Sequence, residues 1–267
     1  MSSSPQLTYT IPRPKAGDCI AKVPYLNSVP FFRGWQLHER WQFTEGVPRA
    51  VGALAASGDI VAGTLPLADY LRLQDQFERL GHFGIAVRGR ARSALLFARK
   101  PLRQLGVAVV AVTEESSTTA RLLRLLLEQR YHVTPASYHA GRCNDADAML
   151  LIGDEAIRFQ RANTQYPYEI DVAFEWWLWQ HLPCVFAVWA VRKDVSAQEK
   201  KSLELSLARS LAINLGQLDA IAQDASAQFG LPAEEIVAYL SGFIYRLGSP
   251  EHAAIDRFQA LLHDPTT

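Results

Sequence analysis

The sequence predicts a two-lobed α/β fold, and three observations carry that prediction. Strand-like and helical segments alternate in two successive series between Cys19 and Lys193, helical periodicity takes over beyond Lys193, and the chain is long enough for two cores. Alternation of short β-branched runs with helical stretches reads as mostly parallel sheets covered by helices. With 267 residues the chain exceeds one minimal domain, and each of two lobes can bury a core of its own. The expected division is a flexible tail over 1–17, a first lobe over 18–98 completed by 193–267, and a second lobe over 99–192.

The first series is expected to run from a strand at Cys19–Val23 through a helix begun near Pro30 to a strand near Trp41–Thr44. A helix at Pro48–Ser57, a strand at Ile60–Gly63 and a closing strand at Ser93–Arg99 follow. Pro48 suits the first turn of a helix and Gly58 suits its end, so that helix is punctuated at both ends. The second series is expected to hold a strand at Val107–Val112, a helix from Ser117 to about Arg130 and strands near Val133–Tyr138 and Met149–Ile152. A helix through Ile157 and a strand at Val185–Val191 close it. Beyond Lys193 no further strand is expected; Ala197–Gln223, Pro232–Leu240 and Glu251–His263 carry apolar residues at helical spacing. Extended crossovers near Phe97–Lys100 and Ala190–Lys193 would join the lobes and leave a ligand cleft between them.

Composition narrows the function. Apolar residues make up 49% of the chain and aromatic ones 10%, as in a packed globular protein. The 27 basic residues match the 27 acidic ones, so no net field holds a nucleic acid or an anionic membrane. Cys19, Cys143 and Cys184 stand far apart and read as reduced thiols. Residues 1–17 carry no apolar core of a secretory signal and no run is long enough to span a bilayer, so a cytoplasmic location is expected. Nucleotide-binding glycine loops, zinc-peptidase motifs and the serine-esterase motif are all missing, and the seven histidines lack metal-ligand spacing.

Five stretches can carry chemistry. Ser116, Ser117, Thr118 and Thr119 place four hydroxyls at a helix start, where free N–H groups and the helix dipole favour a carboxylate or phosphate. Helix capping by Ser116 or Ser117 explains one or two of the four equally well. Glu114 and Glu115 must point away from any anion bound there. Tyr25-Leu26-Asn27-Ser28 follows the first strand, where α/β sheets dock ligands; an asparagine there also simply supports a turn. Arg90, Arg92 and Ser93 offer carboxylate donors or a solvated turn. Gly153 lets backbone approach a ligand, while the adjacent Asp154 is either cleft lining or a helix cap. The tryptophans of Glu175–Trp179 read as core or as a ring-binding wall.

Taken in order, these stretches resemble the chorismate dehydratase family of the futalosine route to menaquinone. Val23-Pro24-Tyr25-Leu26-Asn27-Ser28 is similar to its N-terminal signature, Arg92-Ser93-Ala94-Leu95-Leu96-Phe97 to its central strand, and Thr113–Leu127 to its hydroxyl-rich loop and helix. Ala148–Ala156 matches its L-L-I-G-D segment, Leu182–Ala190 its second hinge strand, and Tyr245-Arg246-Leu247-Gly248 its end. The sequence departs from the pattern at Thr64–Ala68, Ile85–Ala91 and His181–Cys184.

The resemblance implies a type II periplasmic-binding-protein fold used as an enzyme without metal or organic cofactor, acting on a small carboxylate. The implied reaction converts chorismate to 3-[(1-carboxyvinyl)oxy]benzoate, with the substrate's own side-chain carboxylate as base and Asn27 as the positioning residue at the reacting centre. Tyr25, Ser28, Ser93, Ser117, Thr118 and Thr119 are then substrate-binding, and Gly153 and Asp154 line the cleft. Asn27 itself is no base, because a neutral amide has no useful proton affinity near pH 7. A non-catalytic carboxylate binder or sensor on the same cleft is the alternative. The related naphthoate-forming synthase fits less well, since it opens with a cysteine-proline-asparagine pattern absent here, and an exported receptor lacks its signal.

Overall fold

A computed structural model describes residues 18–38, 40–143 and 145–263; the expected tail over 1–17 lies outside them. Strand β1 (Cys19–Lys22) leads through a single turn at Leu26–Ser28 into the short helix α1 (Val29–Phe32). Then come β2 (Gln42–Glu45), α2 (Pro48–Ser57), β3 (Ala62–Pro66), α3 (Leu67–Arg72) and β4 (Phe77–Val87). Helix α2 has the expected bounds: Pro48 opens it, and Gly58 ends it at φ +80°, a conformation open to glycine at little strain.

The chain next crosses to β5 (Ala94–Ala98), β6 (Val109–Val112) and α4 (Thr118–Leu125), which continues as a wider π-helical turn at Leu126–Arg130. Strands β7 (Ser137–Ala140) and β8 (Ala148–Ile152), helix α5 (Gly153–Ala162), β9 (Tyr168–Asp171) and α6 (Val172–Gln180) complete this part. Strand β10 (Cys184–Arg192) returns the chain to the first sheet. It is followed by α7 (Ala197–Leu215), α8 (Leu218–Phe229), α9 (Ala233–Ser241), β11 (Phe243–Arg246) and α10 (Ser249–Leu262).

Two sheets result, one of six strands ordered β11-β4-β10-β3-β1-β2 and one of five ordered β7-β6-β8-β5-β9. Each is mixed: β1 runs parallel to β2 and β3, and β6 to β7 and β8, whereas β10 lies antiparallel between β3 and β4 and β5 antiparallel between β8 and β9. Along β5 the two-residue period sends Leu95 and Phe97 into one buried cluster and Ala94, Leu96 and Ala98 into the other, so both faces of this central strand are covered.

The sheets correct several expectations. Ala94–Ala98, assigned to the first lobe, pairs within the second sheet, and Cys184–Arg192, assigned to the second lobe, pairs within the first. The chain therefore crosses between sheets at 88–93 and 181–183, not near Phe97–Lys100 and Ala190–Lys193, which lie inside or at the ends of paired strands. Strand β4 was not expected because Glu78, Arg79, Gly81 and His82 break its apolar pattern, and α6 because its aromatic residues show no single apolar face. The C-terminal block holds a strand after all: Phe243–Arg246 pairs with β4 at the sheet edge. The helix expected over Ala197–Gln223 is two helices, broken at Gly216.

The larger core centres on aromatic rings. Phe31 from α1 is fully buried against Trp189 of β10 and Tyr245 of β11, with ring centroids 5.6 and 5.4 Å away at steep angles. Edge-to-face contacts of this kind add to the burial of the rings themselves. They seat α1, and with it the Tyr25–Ser28 turn, against the first sheet.

Candidate active site

A cleft of about 570 Å³, counted with its part open to solvent, lies where the two sheets face each other. The first sheet and its loops contribute the Val23–Ser28 turn, Pro48 at the start of α2, Thr64 and Pro66 from β3, Ile85 from β4, and Phe186 and Ala187 from β10. The second contributes Ser93 and Ala94, the Ser116–Thr119 run, and Ile152 with Gly153. Among the described lining residues none carries a formal charge or an imidazole. The walls are apolar groups, hydroxyls and one carboxamide.

Of the residues singled out from sequence, Tyr25, Asn27, Ser28, Ser93, Ser117, Thr118, Thr119 and Gly153 meet in this cleft. Asp154 does not line it. Its carboxylate accepts a hydrogen bond from the Leu26 N–H at 3.1 Å, behind the wall. Neither arginine lines the cleft: Arg90 stacks its guanidinium 4.3 Å over Phe174, and Arg92 lies against α9 beside Tyr239 with its backbone N–H donating to Asp171 at 2.8 Å. The tryptophans of α6 belong to packing: Trp176 is buried and its indole N–H donates to the Pro183 carbonyl.

The four hydroxyls at the start of α4 divide their work. Ser116 caps the helix, accepting from the N–H groups of Thr119 and Ala120 at 3.1 and 3.3 Å. Ser117 donates across the cleft to the Asp69 carboxylate, and Thr118 accepts from the Ala68 N–H at 3.1 Å. Thr119 is left without a described side-chain partner and faces the cleft. The hydroxyl excess over capping is therefore explained in part by closure: two of the four tie one sheet's loops to the other's. The Tyr25 hydroxyl donates to Glu115, and the Arg49 N–H donates to the Glu115 carbonyl at 2.9 Å. Glu115 is thus turned to the neighbouring phenol, as expected for an acid beside an anion site, while Tyr25 offers the cleft its ring.

Asn27 follows Tyr25 and Leu26 in the turn. Its Oδ1 accepts a long 3.4 Å bond from Ser28, and among the described residues its Nδ2 meets no acceptor. Reading the sequence alone missed Thr64. Its hydroxyl oxygen is buried, at 1% residue exposure, and has no partner among the described residues, yet it lines the cleft. A buried hydroxyl without a partner costs free energy. Thr64 and Pro66 share one face of β3, opposite Trp189 and Ala187 on β10; the two-residue period shows that shared face, but only the pairing shows that it opens on a cleft. No group of three or more His, Cys, Asp or Glu among the described residues is arranged to hold a metal ion.

Two substitutions test how the walls are held. Gly153 has φ +59°, and a Cβ there would lie 2.8 Å from the Tyr25 ring. Gly153→Ala is expected to lower the unfolding free energy by about 2–4 kcal/mol, from left-handed strain and overpacking together, read as a reduced urea midpoint. Burial, opposed by the bond from Leu26, pushes the Asp154 carboxyl up to about 6 from its ordinary 3.8. A raised folded-state pKa means that the native protein holds a proton the unfolded chain releases, so this group's stability is full below about pH 4 and lost as pH rises through 6. Asp154→Asn keeps an oxygen for the Leu26 N–H and removes the titration. Relative to wild type it is expected to gain up to about 3 kcal/mol of unfolding free energy between pH 4 and pH 7; parallel urea curves across that range are the measurement, and a constant difference would refute it.

Comparison with known proteins places this cleft in a lineage. The family model for menaquinone biosynthesis matches residues 19–264. A chorismate dehydratase of Thermus thermophilus is 31% identical over 260 residues, which cover 90% of this chain and 93% of that protein. Among solved structures, a protein of Archaeoglobus fulgidus superposes with a TM-score of 0.72 at 16% identity, over 92% of this chain and 97% of its own. The periplasmic aliphatic sulphonate binding protein of Escherichia coli does so with a TM-score of 0.63 at 13% identity, over 93% and 92%. Such low identities speak for the fold alone, which is the two-lobed type II periplasmic-binding-protein fold expected from sequence. The family match runs from β1 through α10 and takes in every wall of the cleft, and the chain belongs to the menaquinone biosynthesis family.

Proposed function

We propose that the protein is a hydro-lyase that dehydrates chorismate to 3-[(1-carboxyvinyl)oxy]benzoate in menaquinone biosynthesis. Likeness to the Thermus thermophilus chorismate dehydratase over nearly the whole chain carries the reading. The cleft supports it through what its walls offer: hydroxyls, a carboxamide and apolar surface, with no lining acid or imidazole to serve as base.

In the reaction the ring loses its C4 hydroxyl and its C3 hydrogen as water, and the C3–H electron pair enters the ring to complete the aromatic system. The enolpyruvyl carboxylate of the substrate itself takes the C3 proton, as the family resemblance implies. Aromatisation drives the step, so the protein's task is to hold the substrate in the reactive conformer and keep bulk water out. Asn27, through its unengaged Nδ2, orients the reacting centre. Ser93, Thr118 and Thr119 donate to carboxylate oxygens, and Ile85, Ile152 and Phe186 cover the ring. Ser117 donates its hydroxyl hydrogen bond to Asp69, so it shapes the wall without donating to the anion. The reaction belongs to the cytoplasm in this reading, and no helix among the described residues is long and apolar enough to cross a membrane.

The deciding experiment is incubation of purified protein with chorismate, followed by chromatography with mass detection. Wild type is expected to form the enolpyruvyl benzoate above background, and Asn27→Ala to lose about 100-fold or more in kcat/KM, the scale of a positioning error near 1 Å. Chorismate that binds but stays intact would leave a carboxylate-binding protein in place of the lyase. A second variant isolates Thr64. Thr64→Val removes the unpartnered hydroxyl with little change of volume, so stability is expected to hold or rise while KM rises about tenfold. Unfolding midpoint and steady-state kinetics on the same preparation read both halves.

A further inference from the structure

Ser93 is held from four sides. The residue before it, Arg92, sits at φ +62°, a left-handed conformation that is uncommon for a non-glycine residue. The Arg92 N–H is fixed to the Asp171 carboxylate at 2.8 Å. The Ser93 carbonyl accepts from the Gly153 N–H at 2.7 Å, a bond that follows directly on the Ala94–Ile152 pair of the β5–β8 ladder and fixes its backbone to the same wall. The fourth restraint comes from outside the cleft altogether. Tyr239 on α9, 146 residues away in sequence, places its hydroxyl 2.8 Å from the Ser93 Oγ, in a contact where both side chains are buried. Residues kept in sparsely populated backbone conformations by surrounding structure mark places where position matters.

We propose that Tyr239 is a positioning residue that fixes the direction of the Ser93 hydroxyl proton, so that Ser93 presents a donor to a substrate carboxylate. A phenol is more acidic than an aliphatic alcohol and is the better donor of the pair, while the serine oxygen is the better acceptor. The neighbouring Tyr245 hydroxyl is buried and engages no described partner, so Ser93 is the described acceptor for the Tyr239 proton. Once Ser93 Oγ accepts from Tyr239, its own O–H has, among the described residues, one acceptor in reach, the Ala91 carbonyl at a marginal 3.5 Å, and is otherwise free to serve the cleft it lines. Burial pushes the Tyr239 phenol well above its usual range, which keeps it a neutral donor at any working pH. The C-terminal helices thereby reach the substrate through one hydrogen bond, without touching it.

This inference rests on the proposed reading of Ser93 as a carboxylate donor, and its test separates the two. Wild type, Tyr239→Phe, Ser93→Ala and the double variant are compared for chorismate turnover and, by calorimetry, for binding of benzoate, a carboxylate that cannot react. Tyr239→Phe keeps the buried ring and removes the oxygen alone. The expected result is a rise in KM of about tenfold with kcat nearly unchanged, an equal rise in Ser93→Ala, and no further rise in the double variant, with benzoate affinity following the same pattern. Additive effects, or a Tyr239→Phe variant that binds benzoate as wild type does while Ser93→Ala does not, would overturn the positioning role. Failure of wild type to turn over chorismate would remove the proposed reaction instead; the benzoate series would still decide on Tyr239, and absence of benzoate binding by wild type would count against it.

Discussion

The Tyr25 ring occupies the space a Cβ on Gly153 would need, with ring carbons 2.8–3.0 Å from that position. The cleft is built around this missing side chain. Because Gly153, directly after β8, has only hydrogen on its Cα, the turn that follows β1 can lie directly on the opposite sheet's strand end. Tyr25 then reaches Glu115, the next N–H reaches Asp154, and Asn27 comes to rest in the wall between them. A larger residue at 153 would lift the turn as a unit, and with it the carboxamide. The bonds of Ser117 to Asp69, Thr118 to Ala68 and Arg49 to Glu115 close the other flank in the same way. These bonds involve backbone groups or short side chains, which lose little freedom on pairing.

Electrostatics follows from the same arrangement. An anionic substrate is repelled by carboxylates within a few ångströms, and three acids stand close to this cleft. Each is engaged: Asp69 by Ser117 and Arg72, Glu115 by Tyr25, and Asp154 by the Leu26 N–H. The acids thus hold the walls together while the surfaces they hold are neutral. Asp154 shows the cost, since burial raises its pKa despite the hydrogen bond it accepts. The described lining offers hydroxyls and a carboxamide where a carboxylate or imidazole would serve as base, an arrangement that suits the proposed reaction, in which the substrate carries its own base.

Much of this was legible in the sequence, and the limits have physical causes. Proline and glycine act locally, so α2 could be bounded from Pro48 and Gly58 alone. The order of the motifs brought Asn27, Ser93, the hydroxyl run and Gly153 to one place, because strand ends and helix starts are where α/β folds form sites. Sheet membership was not legible. Ala94–Ala98 is buried on both faces, and such a run looks the same whichever sheet it joins. Thr64 escaped for a related reason: a single threonine among apolar residues reads as strand filler until its missing partner is seen. Asp154 was read as lining or cap, and neither reading could anticipate a partner 128 positions earlier in the chain.

The two crossings between the sheets show why fold and site cannot be separated here. Each contains a non-glycine residue in the left-handed region, Arg92 at φ +62° and His181 at φ +55°. Conformations of this kind cost roughly 1–2 kcal/mol each, and a freely jointed linker would avoid them. At 88–93 the strain is offset by a carboxylate that does two jobs: Asp171 caps α6 through the N–H groups of Ala173 and Phe174 with one oxygen and holds the Arg92 N–H with the other. At 181–183 the Trp176 indole holds the Pro183 carbonyl. Both clamps sit at α6: Asp171 ends β9 and caps the helix, and Trp176 lies within it. One short helix therefore sets the conformation of both strands of chain that join the sheets. The first of them delivers Ser93 to the cleft within one residue of the strained position, so the geometry that divides the molecule in two is also the geometry that aims its hydroxyl.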